Sequence, residues 1–347
     1  MTSRHRRRPA AALGLALAAL LLTACGGAGS GSEDQAADDA VVVYSGRSEG
    51  LVGPLLARFT DSTGVAVSVR YGDTAELAAQ LLEEGDRSPA EIYLSQDAGA
   101  LERLHQAGLL APLPARTLDL VPATYRGDDG TWVGTSGRAR VLFYNDDTVA
   151  VADLPDSVLD LTDPRWKGQV GIAAANASFQ SFVTAMRITL GEQAAEEWLT
   201  AMVANDVQRY DNNSAIRDAV DSGQISLGLA NHYYWFEKAT EVGAESLAVQ
   251  NHFLAARDVG SLVNVAGAAV LATGAEDADA LRLVDFLLSS QAQEYFATTT
   301  FEYPLVAGVD PADGLPALAD VEGPDISLGQ LADLDGTQAL LTRVGLL

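Results

Sequence analysis

Tyr233 and Tyr234 stand side by side, followed by Trp235, just after an apolar run at 225–230. Two adjacent phenols at a strand end can simply pack their rings. They can also act as hard anionic donors, because a phenolate suits a hard cation such as Fe3+ as a thiolate suits a soft one. A phenol has a pKa near ~10, so its proton leaves at neutral pH only when a strong Lewis acid takes its place. Arg138 and Arg140 flank Ala139 and would share one face of a strand. Such a pair clamps an oxyanion or makes surface ion pairs. Asn176-Ala177-Ser178 and Asp211-Asn212-Asn213-Ser214 each precede a helical run. Their amides and side chains can hold an anion or cap a helix.

A different chemistry is open at Gly46-Arg-Ser-Glu-Gly50, which fits G-x-S-x-G between a strand and a helix. That is the setting of a nucleophile elbow, and His105, His232 and His252 follow it as the order Ser, acid, His requires. The elbow would lie on the first strand of the domain, with no upstream strand to donate an oxyanion hole. In the competing reading Ser48 caps the helix and free N–H groups face a cleft. His105 has no partner ligand three or four residues away, and the chain has no H-E-x-x-H, Walker or EF-hand pattern.

These residues need a frame. Strands are expected at 41–44, 65–70, 91–95, 139–144, 170–173, 207–210, 225–230 and 263–272. Helices are expected at 51–59, 74–84, 101–107, 179–190, 194–204, 214–222, 277–289 and 291–298. Pro54 should fall in the first turn of its helix. Ala75, Ala78 and Leu82 should form the buried face of theirs. The alternation argues for an α/β fold with a mostly parallel sheet, whose ligands bind beyond the carboxyl ends of the strands.

The amino-terminal residues bear on compartment. A basic head, Arg4 to Arg8, leads into an apolar run at 10–22 and then Leu22-Thr23-Ala24-Cys25. The run is short for a transmembrane helix and fits a signal peptide. The tetrapeptide resembles the lipobox of bacterial lipoproteins, which implies cleavage before Cys25, the only cysteine, and its lipidation. Residues 26–39, rich in Gly, Ser, Ala and Asp, read as a flexible tether. Removing the four arginines of the head takes the formal charge from −25 to −29. That argues against nucleic acid and against a basic membrane-binding face. The body of about 300 residues suggests two lobes.

Several stretches, taken in order, resemble the ferric-iron-binding proteins that feed bacterial iron ABC transporters. They are Val43-Tyr-Ser-Gly-Arg47, Arg87-Ser-Pro-Ala-Glu-Ile92, Ser136-Gly-Arg-Ala-Arg140, Asp163-Pro-Arg-Trp-Lys-Gly168, Asn231-His-Tyr-Tyr-Trp235 and Glu302-Tyr-Pro-Leu305. The resemblance implies a two-lobe fold of the type II periplasmic-binding-protein kind, with hinge strands and a cleft between lobes. It implies a signal peptide at 1–24, a tether at 25–40, lobe 1 at 41–137 plus 262–312, and lobe 2 at 138–261 plus 313–347. It implies a monomer that is not an enzyme, meets the membrane only through its lipid, and delivers Fe3+ with a synergistic phosphate or carbonate to a permease. Tyr233 and Tyr234 match the iron-ligating tyrosines. Asn176, Ala177, Ser178, Asn213 and Asn231 match anion-holding positions, with Arg138 and Arg140 in the supporting segment. Ser48 and Gln96 stand where the family often has a ligating histidine and glutamate, and Phe179 where some branches have a third tyrosine. Glu49 and Asp97 are the neighbouring carboxylates that could substitute.

Overall fold

The computed structural model describes residues 40–347; the leader, Cys25 and the tether fall outside the described residues. The strands are β1 Val41–Ser45, β2 Val67–Tyr71, β3 Ile92–Ser95, β4 Val133–Asn145, β5 Val170–Ile172, β6 Gln208–Arg209, β7 Leu227–Asn231, β8 Val249–His252, β9 Val263–Val270 and β10 Tyr303–Pro304. They run in the order β2-β1-β3-β9-β4-β7-β5-β6, with β8 and β10 also paired to β4. β1 is parallel to β2 and β3, and β5 is parallel to β6 and β7.

The sheet is therefore two parallel blocks rather than one mostly parallel sheet. Between them lie β9 and β4, antiparallel to their neighbours. β4 is 13 residues long, enough to serve both blocks: residues 133–139 pair with β9 and 140–144 with β7. Each block with its helices is a lobe, and β4 and β9 join them. Residues 133–138 were not expected as strand, because Gly134 and Gly137 weaken the pattern. Gly134 is needed there, since a Cβ would lie 2.6 Å from the Tyr125 carbonyl oxygen.

The helices refine the sequence reading in three places. Glu49–Thr63 starts earlier than expected, so Pro54 falls in the second turn. Its missing N–H deprives the Gly50 carbonyl of its helical partner, and Gly50 is exposed to water. Thr74–Glu84 forms as expected, capped by Asp73, but it buries Thr74, Leu77, Ala78 and Leu81. Ala75 is exposed, because the stripe carrying two leucines removes more apolar surface from water. Two helices that the patterns did not reveal, Tyr233–Val242 and Leu334–Arg343, complete the second lobe's surface.

The carboxyl-terminal stretch touches both lobes. Residues 328–332 pack on the helix Ala98–Gln106, where a Cβ on Gly99 would lie 2.6 Å from the Leu331 carbonyl oxygen. The helix after them bonds to Ala177–Leu190 through Thr337 and Thr184, at 2.7 Å, and through Asp333 and Arg187, at 2.9 Å. Among the described residues no helix is long and apolar enough to cross a membrane.

Candidate functional site

β7 delivers the tyrosines. Its register with β4 sets Asn231 opposite Arg140, and its buried end runs straight into the helix that begins at Tyr233. Gly228 makes this possible: a Cβ there would sit 2.2 Å from Ile216 Cγ2, so only glycine lets the helix Asn213–Asp221 lie close on β7. Tyr233 is buried and Tyr234 half-buried, with ring centroids 4.3 Å apart and planes inclined by 28°. Both rings leave the first turn of a helix, where the dipole favours negative charge. Burial, and then the neighbouring Tyr234, push the Tyr233 phenol well above its usual range, and Arg138 opposes them. Tyr233 is therefore held as a neutral phenol.

His232, between Asn231 and Tyr233, is fully buried. Its Nδ1 accepts from the Ala139 N–H at 3.2 Å and its Nε2 lies 2.7 Å from the Phe301 carbonyl oxygen. Burial lowers its pKa to about 4, so it is a neutral strut between β4 and the Phe301 segment.

The two arginines expected on one strand face do share a wall. Gln96, Asp97, Arg138, Arg140, Ala177, Ser178, Asn231, Leu262 and Asn264 line one narrow cavity between the lobes, with room for about one water-sized centre, ≈ 10 Å³. Part of its polar side is one network. Asn176 caps its helix by accepting from the Ser178 N–H at 3.0 Å, and accepts from Ser178 Oγ at 2.6 Å. Ser178 Oγ in turn accepts from Arg140 at 3.4 Å and from Asn213 Nδ2 at 3.3 Å.

What remains unsatisfied is mostly donor. Nε and Nη2 of Arg140, Nε and Nη1 of Arg138, and Nδ2 of Asn264 are buried without a partner. Arg140 has no acid beside it; its guanidinium lies 5.0 Å from the Phe182 ring and 5.8 Å from the Phe179 ring. Burial alone pulls its pKa down to about 9. Buried donors of this kind are normally paired, and a buried guanidinium is costly to leave alone. The arrangement is complementary to a small anion. Phe179, which stands where some branches of the resembled family have a tyrosine, thus shares with Phe182 the apolar floor under that cation.

Other expected residues part company here. Ser48 and Glu49 are exposed at the start of their helix and do not line the cavity. Ser48 occupies the cap position but its side chain makes no capping bond. The three described histidines bond elsewhere, His105 to Thr131 and Asp129, His232 as above, and His252 to the Pro155 carbonyl. Ser48 therefore has no base, which removes the elbow reading. Gln96 and Asp97 do line the cavity, but Asp97 is occupied as the cap of Ala98–Gln106, accepting from the Ala100 N–H at 3.0 Å. Burial raises its pKa, against the pull of that N–H and of Arg138. Among the described residues no cluster of three or more His, Cys, Asp or Glu could hold a metal.

Asn264 and Leu262 are cavity residues that the sequence reading missed. The signal was there for Asn264, a lone amide in an otherwise apolar run at 263–270.

Two lobes on crossing strands, with a polar cavity between them, are the architecture of a solute-binding protein. The family described as bacterial extracellular solute-binding protein matches residues 87–322, and the chain belongs to it. A Fe(3+)-binding periplasmic protein of Serratia marcescens is 34% identical over 91% of this chain and 94% of its own. A major ferric iron-binding protein of Neisseria meningitidis is 34% identical over 88% and 93%. Iron-bound HitA from Pseudomonas aeruginosa superposes with a TM-score of 0.83 at 34% identity, over 88% of this chain and 99% of its own. A Trichodesmium protein solved with iron and citrate gives 0.77 at 30% identity, over 89% and 100%.

Proposed function

We propose that this chain binds ferric ion together with a small oxyanion, phosphate or carbonate, between its lobes and delivers it to a membrane ABC permease. Tyr233 and Tyr234 serve as phenolate ligands. Arg138, Arg140, Ala177, Ser178 and Asn231 receive the anion directly, with Asn176 and Asn213 holding Ser178 in place. The observation that carries this reading is the set of buried, unpaired guanidinium donors, with Arg138 close enough to the stacked tyrosine pair to act on the Tyr233 phenol, although neither tyrosine lines the narrow cavity itself. The names of the relatives supply the metal. Two phenolates leave a trivalent cation about one charge short by simple counting, and Ser48 and Glu49 lie off the cavity, so the anion completes the balance. The narrowness of the cavity favours a small anion over a tricarboxylate. The leader and Cys25 fit a lipid-anchored exported protein, acting as a monomer.

Elemental analysis and a visible spectrum of the protein as isolated test this. Tyrosinate bound to Fe3+ gives a charge-transfer band, and Tyr233→Phe or Tyr234→Phe should weaken or abolish it while leaving the fold intact. The band and the iron should also be lost as pH falls, since protons compete for the phenolates. Unchanged iron binding by the double variant would reject the reading.

A further inference from the structure

Behind the cavity lies a buried carboxylate that none of the site chemistry above uses. Glu302 is 1% exposed and stands between two guanidinium groups that are each 3% exposed. Its Oε2 accepts from Arg47 Nη2 at 2.6 Å and from Thr300 Oγ1 at 3.0 Å. Its Oε1 has no partner and faces Arg138 Nε across 3.8 Å, too far for a hydrogen bond. Arg138 Nε is equally unpaired. The carboxylate is held firmly in place. Phe301, just before it, has a left-handed backbone at φ 55°, a conformation costly for a bulky residue. The Phe301 carbonyl oxygen lies within hydrogen-bond distance of His232 Nε2, and its ring stacks on Phe236 at 5.6 Å. Arg47, which fixes the other oxygen, follows β1 in the first lobe.

A fixed carboxylate 3.8 Å from a guanidinium, but not bonded to it, can share that guanidinium with something else. We propose that Glu302 is an internal competitor for Arg138, a positioning residue that draws on the guanidinium by charge across the 3.8 Å gap while leaving its N–H groups free for an incoming oxyanion. Glu302 so weakens capture of the anion alone and, by its negative charge, favours capture of the anion with a trivalent cation. The inference rests on the reading proposed above.

The test uses the purified protein with two separate probes. Inorganic phosphate is titrated into the metal-free protein by calorimetry, and ferric affinity at saturating phosphate is measured by citrate competition. Glu302→Gln keeps the shape and removes the charge. It should tighten phosphate by at least about fivefold and weaken ferric ion by at least about tenfold, each well within one unit charge acting across a few ångströms of protein. Glu302→Asp, which keeps the charge, should return both values most of the way. Loss of structure would weaken both probes together, so opposite responses identify the competition. Glu302→Gln leaves Arg47 unpaired, and if it fails to fold, the paired variant Arg47→Gln with Glu302→Gln removes both buried charges. It should still tighten phosphate, because Arg138 is freed. If phosphate affinity is unchanged or falls in folded variants while the wild type binds both probes, the competitor role is wrong. If the wild type binds neither probe, the proposed function fails first.

Discussion

Arg140 shows at the level of one side chain what a buried cation costs. It is a buried guanidinium whose hydrogen bonding is a single long contact to Ser178 and whose neighbours are two phenyl rings. Arg140→Met should therefore stabilise the metal-free, anion-free protein, by about 2 kcal/mol, since an uncompensated buried charge is replaced by an apolar chain of similar length. Phosphate should stabilise the wild type further through ligand binding, and it should leave the variant unmoved. Thermal melts with and without phosphate read both effects, and a variant less stable than the wild type in anion-free buffer would contradict the account. The tyrosine pair, the arginine pair and Asn176 to Ser178 were legible in the sequence, because each depends on neighbours one or two positions away and on a strand end or helix start. Glu302 and Arg47 were not legible as partners, since they meet across 255 positions of chain. Asp97, the neighbouring carboxylate expected as a possible substitute ligand, caps a helix that begins at 98 rather than at the expected 101.

At the scale of elements, the anion network depends on how closely the helix Asn213–Asp221 sits on β7. Asn213 is fully buried and reaches Ser178 from the first turn of that helix. Gly228→Ala would push Ile216 outward and move Asn213 with it. We expect a loss of about 1–3 kcal/mol from overpacking, with phosphate binding weakened although no site residue has changed. Adding Ile216→Ala should restore phosphate affinity better than it restores stability, because it removes the clash and leaves a cavity. Titration and chemical denaturation of the single and double variants separate the two; phosphate affinity untouched by Gly228→Ala would sink the argument. Periodicity found most of the helices and strands at their expected places. It failed for Tyr233–Val242, whose first turn is spent on the site and whose buried residues are only Tyr233 and Phe236. It also failed for the glycine-bearing half of β4, where close backbone packing and not side-chain alternation holds the strand.

At the scale of the molecule, the cavity walls come from both lobes, Gln96 and Asp97 from one and Arg140, Ser178 and Asn231 from the other. On the proposed function, cargo would enter and leave as the lobes part about β4 and β9. Positions in the fold were legible from the alternation of strands and helices, but the two long antiparallel strands at its centre were not, because an apolar run does not reveal which partner it will find.

The division of β4 between two blocks also sets an order of assembly. The strands of the second block, β5 to β8 with the far half of β4, come from one continuous stretch, residues 140–252. β1, β2 and β3 also come from one stretch, residues 41–95, but the outer edge of β3 finds its antiparallel neighbour only in β9, more than 160 residues later. Closing so long a loop is slow and entropically unfavourable until its contacts form. The β3–β9 pairing should thus be the last part of the sheet to gain structure on refolding. In pulsed hydrogen exchange, amides of β5 and β7 are expected to be protected before those of β9, and simultaneous protection or the reverse order would show that the long-range pairing is not the slow step. During synthesis, β3 would keep an unpaired edge until β9 is made.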